Sequence, residues 1–121
     1  VAREIALKTQ EAAYLRSRAF GLEEFLHGPR ISTDASTSVI CFSARHEQRW
    51  QALRKYLKTV EVQFLEVEAE ALELPISIGW LWQLFWGQRL TLSACKQMNL
   101  NPDTLRNQDS RYQTARQELE L

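Results

Sequence analysis

The chain has 121 residues, which allows one domain with a modest core. Its 15 basic and 15 acidic residues cancel, so there is no broad field to attract nucleic acid or an anionic membrane, and neither is expected as a partner. With 45% hydrophobic and 25% charged residues the composition is globular rather than disordered.

Residues 2–17, "AREIALKTQEAAYLRS", predict a first helix: Ile5, Ala12 and Leu15 recur at helical spacing among good helix formers. Gly21 stops or bends the chain. "LEEFLHG" then predicts a short helix ended by Gly28 and Pro29. The polar "ISTDASTS" connects it to "SVICFSA", apolar on both faces, the pattern of a strand covered on two sides as in a parallel sheet. "RHEQRWQALRKYLKTV" is amphipathic, with Trp50, Leu53 and Leu57 on one stripe. "EVQFLEVE" predicts a second strand that alternates Val62, Phe64 and Val67 against Glu61, Gln63 and Glu66, and "ALELP" a third, very short one stopped by Pro75. Residues 78–98 predict the longest helix, apolar around most of its circumference and therefore expected to be covered. Gln83, Gln88 and Arg89 interrupt it well short of the ~20 apolar residues of a membrane span. The closing segment, from Leu100, opens with a Pro-containing turn and ends polar.

This order predicts an α/β layered domain whose sheet is short of strands. Cys41 and Cys95 lie among apolar neighbours and read as reduced core residues of a cytoplasmic protein. Phosphate loops, paired-cysteine metal sites, HExxH and GxSxG are not found, and no metal or other cofactor is expected. Lys8 and Glu11, three apart, share a helix face; alone they read as a surface ion pair. His27 alone reads as a helix-end or packing residue. A carboxylate and an imidazole brought together, however, are the usual means of moving protons near neutral pH.

"EIALKTQEAAYLRSRAFGLEEFLHGP" resembles the sugar-isomerase (SIS) family, in particular the second SIS half of the glutamine–fructose-6-phosphate aminotransferases. The matching positions are Glu4, Ala6, Leu7, Lys8, Glu11, Tyr14, Ala19, Phe20, Glu24, His27, Gly28 and Pro29, with unbroken spacing, and "NPDTLRN" (101–107) is similar to the family's closing motif. The resemblance covers nearly the whole chain. It implies a three-layer parallel sheet flanked by helices, without its first strand here, and makes residues 1–121 a single domain, the later half of a two-half SIS protein. It further implies a phosphorylated ketose, aldose or amino sugar as ligand. Glu11 would be the base that shuttles a proton between C1 and C2, His27 the group that helps open the ring, and Lys8 a cation of the same site. A carboxylate screened from water holds its proton at higher pH, which suits such a base. A homo-oligomer or a companion SIS half is the expected partner.

The chain departs from the family in several places. Ile5 replaces a glycine and Arg18 an acid, the chain opens on Val1 without the preceding strand, and "FSARHE" (42–47) is not a serine/threonine phosphate loop. Ser110 stands where the aminotransferases carry a Schiff-base lysine, and no lysine follows Lys96. An imine needs a primary amine, so a complete aminotransferase is not expected. The alternatives are an isomerase, a non-catalytic module that binds a sugar phosphate as a regulatory signal, and an interaction subunit that packs through its Trp-rich helix.

Overall fold

Tyr14 ends the first helix by adopting a left-handed conformation, φ 57° and ψ 21°. A computed structural model describes residues 1–43, 48–68, 75–104 and 106–119. In it, α1 runs Ala2–Ala13, one turn shorter than its apolar spacing predicts. The lost turn folds back instead. Ser17 Oγ donates to the Ala6 carbonyl at 2.7 Å, and the Leu15 N–H reaches the Thr9 carbonyl at 3.4 Å. The apolar period of Leu15 continues past the helix, but the backbone groups of this turn are satisfied another way.

The remaining elements follow in order: α2 (Leu22–His27), a single 3-10 turn (Pro29–Ser32), β1 (Ser38–Ser43), α3 (Gln48–Thr59), β2 (Gln63–Glu68), α4 (Ile76–Gln97) and α5 (Ser110–Glu118). The fold is mixed α/β. β1 and β2 pair in parallel, Ser38 opposite Gln63 through Ser43 opposite Glu68. The third strand expected at "ALELP" falls on residues 71–74, outside the described residues. α5 has no counterpart in the sequence expectation. Its start is set by Asp109, whose carboxylate accepts the Arg111 N–H, a side-chain cap for a nine-residue helix with no buried residue.

The register puts Val39, Cys41, Phe64 and Glu66 on the face towards α3, and Ile40, Phe42, Leu65 and Val67 on the other. Leu53 and Leu57 of α3 are buried with Val62, and Val39, Phe64, Trp50 and Tyr56 pack around them. The strict alternation expected for β2, with Val67 on the side of Phe64, is therefore corrected: this strand buries residues on both faces. Arg54 of α3 reaches across the same face, Nε donating to Glu66 at 2.6 Å and Nη2 to Glu68 at 3.1 Å. Burial first, and the neighbouring Glu66 charge second, push the Cys41 thiol up to about 12. Such a thiol stays protonated and unreactive at neutral pH. Cys41 and Cys95 are both buried and unpaired.

On the opposite face Trp86 of α4 meets Phe42 edge-on, ring centroids 6.3 Å apart. The buried stripe of α4 is not its aromatic one. Gly79, Gln83, Gly87, Thr91 and Cys95, spaced four apart, turn inward. Gln83, which interrupts the apolar run in sequence, donates to the Val67 carbonyl at 3.1 Å from a buried position. α1 lies on this stripe. Ile5 sits against Gly87 so closely that a Cβ there would run into its Cδ1 and Cγ1, and the Thr9 and Thr91 hydroxyls are 3.2 Å apart. Close approach of two helices needs small residues, and α4 supplies them where α1 crosses. The expectation that the apolar circumference of α4 is covered fails on the other side: Leu81, Phe85 and Leu92 are exposed, Phe85 to 59%. No helix among the described residues is long and apolar enough to cross a membrane.

Candidate functional site

Lys8 and Glu11 stand on the outward face of α1, opposite the side that Ile5 and Ala13 bury. Lys8 Nζ donates to Glu11 Oε2 at 2.9 Å and lies 4.0 Å from Glu4 Oε1. The bond to Glu11, and then the Glu11 charge, raise the Lys8 ammonium above its ordinary value. Both side chains are nearly half exposed, 45% for Lys8 and 43% for Glu11. The pair is thus ordered but open to water, and each partner fixes the rotamer of the other.

His27 is the last residue of α2. Gly28 leaves the helix with φ −153° and ψ −69°, and Pro29 begins the 3-10 turn. The Gly-Pro pair stops the helix because proline cannot donate to it. The His27 ring, 83% exposed, projects from the end with Nε2 3.8 Å from Glu23 Oε2. Glu23 also pairs with Arg49 of α3. Glu24 turns back to accept the Gly21 N–H at 3.2 Å, so its visible work is to start α2 by satisfying one of the free N–H groups at its N-terminus.

Lys8 and Glu11 are brought together. Among the described residues no hydrogen bond or ion pair joins either of them to His27. Two open clefts flank these groups. One, about 240 Å³, lies beside His27 and is lined by Leu26, Arg30, Arg49, Ala52, Leu53 and Tyr56. Its arginines are committed: Arg49 to Glu23, and Arg30 to the Leu26 carbonyl at 2.6 Å with its guanidinium 5.3 Å from the Tyr56 ring centre. The other, about 300 Å³, opens at the C-terminal end of α1 and is lined by Gln10, Tyr14, Leu15, Arg16, Arg106 and Tyr112. Sequence reasoning singled out neither arginine of this second cleft. Arg106 lies within "NPDTLRN", a motif that signals the region, but its contact with Tyr14 spans most of the chain and leaves no local periodicity. Among the described residues no cluster of three or more His, Cys, Asp or Glu side chains is placed to hold a metal ion.

Comparison of the chain with protein-family models, curated proteins and solved structures gives no match.

Proposed function

We propose that the chain is a phosphosugar isomerase-type unit of SIS architecture, a three-layer parallel-sheet domain of which β1 and β2 are part. The observation that carries this reading is the Lys8–Glu11 hydrogen bond on a face of α1 that a ligand can reach, 2.9 Å long, in the motif spacing that also ends α2 at His27. A carboxylate held by an ammonium is equipped for the reaction. Glu11 takes a proton from C1 of an open-chain ketose phosphate and returns it to C2, while a hydroxyl proton passes between O1 and O2. The Lys8 charge stabilises the enediolate oxygen formed between the two transfers. His27, exposed at its helix tip beside Glu23, serves ring opening.

A base of this kind works best screened from water, and here a second copy of the chain or a companion SIS half provides the cover. Two buried, unpaired cysteines suit a reducing, cytoplasmic setting. The exposure of Glu11 and His27 favours a second reading, in which the same groups recognise a sugar phosphate without turning it over.

Interconversion of fructose 6-phosphate and glucose 6-phosphate by the purified protein tests the two. Turnover that falls by roughly 10²–10⁴-fold in Glu11→Gln is expected for the isomerase. Saturable binding of fructose 6-phosphate without turnover selects the second reading, and absence of both turnover and binding overturns the two together. In sedimentation velocity we expect a self-associating species, and a stable monomer at all concentrations would remove self-association as the source of cover.

A further inference from the structure

The cleft at the end of α1 is built differently from the other arginine sites of the molecule. Arg106 lies with its guanidinium carbon 4.2 Å from the centre of the Tyr14 ring and 4.8 Å from that of Tyr112, and its Nη1 donates to the Tyr112 hydroxyl. Tyr14 and Arg106 both hold left-handed backbone, φ 57° and 58°, a conformation that is uncommon outside glycine and that the stacking helps to hold. Arg16 lines the same cleft. Arg49, Arg54 and Arg111 each pair with a carboxylate, but among the described residues neither Arg16 nor Arg106 does. A guanidinium has five N–H donors, and the contacts with two rings hold Arg106 while leaving donors beyond the one given to Tyr112. Arg106 makes no direct ion pair, although the Asp109 carboxylate lies near enough to feel its charge; with Arg16 and the tyrosine hydroxyls it forms a site for a dianionic oxyanion.

We infer that the Arg16–Arg106 cleft binds a phosphate monoester and is the phosphate grip of the ligand whose carbons Glu11 and Lys8 face. This assignment rests on the phosphosugar reading above. Tyr14 follows Glu11 by three residues, about 5 Å along the helix. A phosphate seated at Arg106 would thus leave Glu11 within reach of the sugar carbons of the same molecule, although Glu11 itself does not line the cleft. It also gives the chain a phosphate contact where "FSARHE" offers no serine/threonine loop.

Calorimetric titration with inorganic phosphate and with fructose 6-phosphate, on the wild type and on Arg106→Gln, Arg16→Gln and Arg106→Lys, tests the inference. Loss of one charge-assisted contact of about 1.5–3 kcal/mol corresponds to roughly 10–100-fold weaker binding of both probes. Arg106→Lys, which keeps the charge but not the planar fork, is expected to fall between wild type and Arg106→Gln. Arg111→Gln, whose arginine pairs with Asp109 and does not line the cleft, is expected to bind as wild type. Should Arg106→Gln fail to fold, the exposed Arg16→Gln decides. Undiminished fructose 6-phosphate affinity in the arginine variants, with turnover still lost in Glu11→Gln, overturns the cleft and leaves the isomerase. Phosphate affinity that falls in the arginine variants, with no preference for the sugar ester over inorganic phosphate, keeps the cleft as an anion site and sinks the phosphosugar reading. No binding of either probe overturns the cleft.

Discussion

α1 sits on α4 through Ile5 and Ala13, both buried, with Thr9 and Thr91 in hydrogen-bond contact across the seam. α2 has no fully buried residue; Leu22, Phe25 and Leu26 only lean against the Leu53–Leu57–Val62 core. The two helices carry the two halves of the candidate chemistry, and they are held by different means. Glu11 inherits the rigidity of a helix-on-helix contact so close that it requires a glycine. His27 stands at the end of a six-residue helix kept in place by the Glu24 carboxylate on the Gly21 N–H, a Gly-Pro stop and half-buried packing. The site proposed above would draw a fixed wall from α1 and an adjustable one from α2.

The largest expected effect on that contrast comes from the seam. Gly87→Ala forces a methyl into Ile5 and should cost about 1–3 kcal/mol of stability, the usual range for overpacking. Denaturant melts should show it as a lower midpoint, with Glu11-dependent function failing alongside. A midpoint equal to that of wild type would mean that the α1–α4 seam yields easily, and the rigid wall would be lost from the account.

Phe25→Ala acts on the other wall. Phe25 is half-buried against the core and its ring centre is 6.2 Å from that of Phe20, so removing it should cost about 1–2 kcal/mol. Amide exchange should quicken in α2 while α1 keeps its protection. Equal quickening in both helices would show that they move as one body, against the comparison drawn here.

The sheet offers a pH test. The Cys41 thiol titrates at about 12 in the folded chain against 9.0 for an unperturbed thiol. Because the folded value is the higher, the unfolded state loses its proton first, and stability falls as pH rises through that window. By pH 10 the loss is about 1 kcal/mol. Cys41→Ala should flatten this part of the alkaline slope, and an unchanged slope would assign it to other groups.

The smallest effect is expected at Lys8→Met. Lys8 and Glu11 are both open to solvent, and exposed ion pairs contribute little to folding. The melting temperature should stay put, while turnover or fructose 6-phosphate binding falls. A clear drop in melting temperature would make the pair structural instead.

Much of this architecture was legible in the chain itself. "SVICFS" declared a strand covered on both faces and "EVQFLEVE" a second strand, Trp50, Leu53 and Leu57 marked the inward stripe of α3, and Gly28-Pro29 stopped α2 directly after His27. These are local signals, set by side-chain period and backbone geometry within a few residues, and a sequence carries them whatever it packs against. The spacing of Lys8 and Glu11 likewise predicted their shared helix face, since positions three apart meet on any α-helix.

Contacts between distant segments were not legible. Hydropathy made most of the circumference of α4 look covered, yet the buried stripe is Gly79, Gln83, Gly87, Thr91 and Cys95, because the close approach of α1 favours small residues and a buried amide is admissible once the Val67 carbonyl accepts its hydrogen bond. The last turn expected of α1 unwinds at Tyr14, whose ring stacks on Arg106, some ninety positions along the chain. The sequence by itself determined which segments are helix or strand and which residues could do chemistry. Only tertiary structure decided which face of α4 is buried, and that two arginines meet two tyrosines at the end of α1, because burial and charge pairing depend on neighbours that the local chain does not specify.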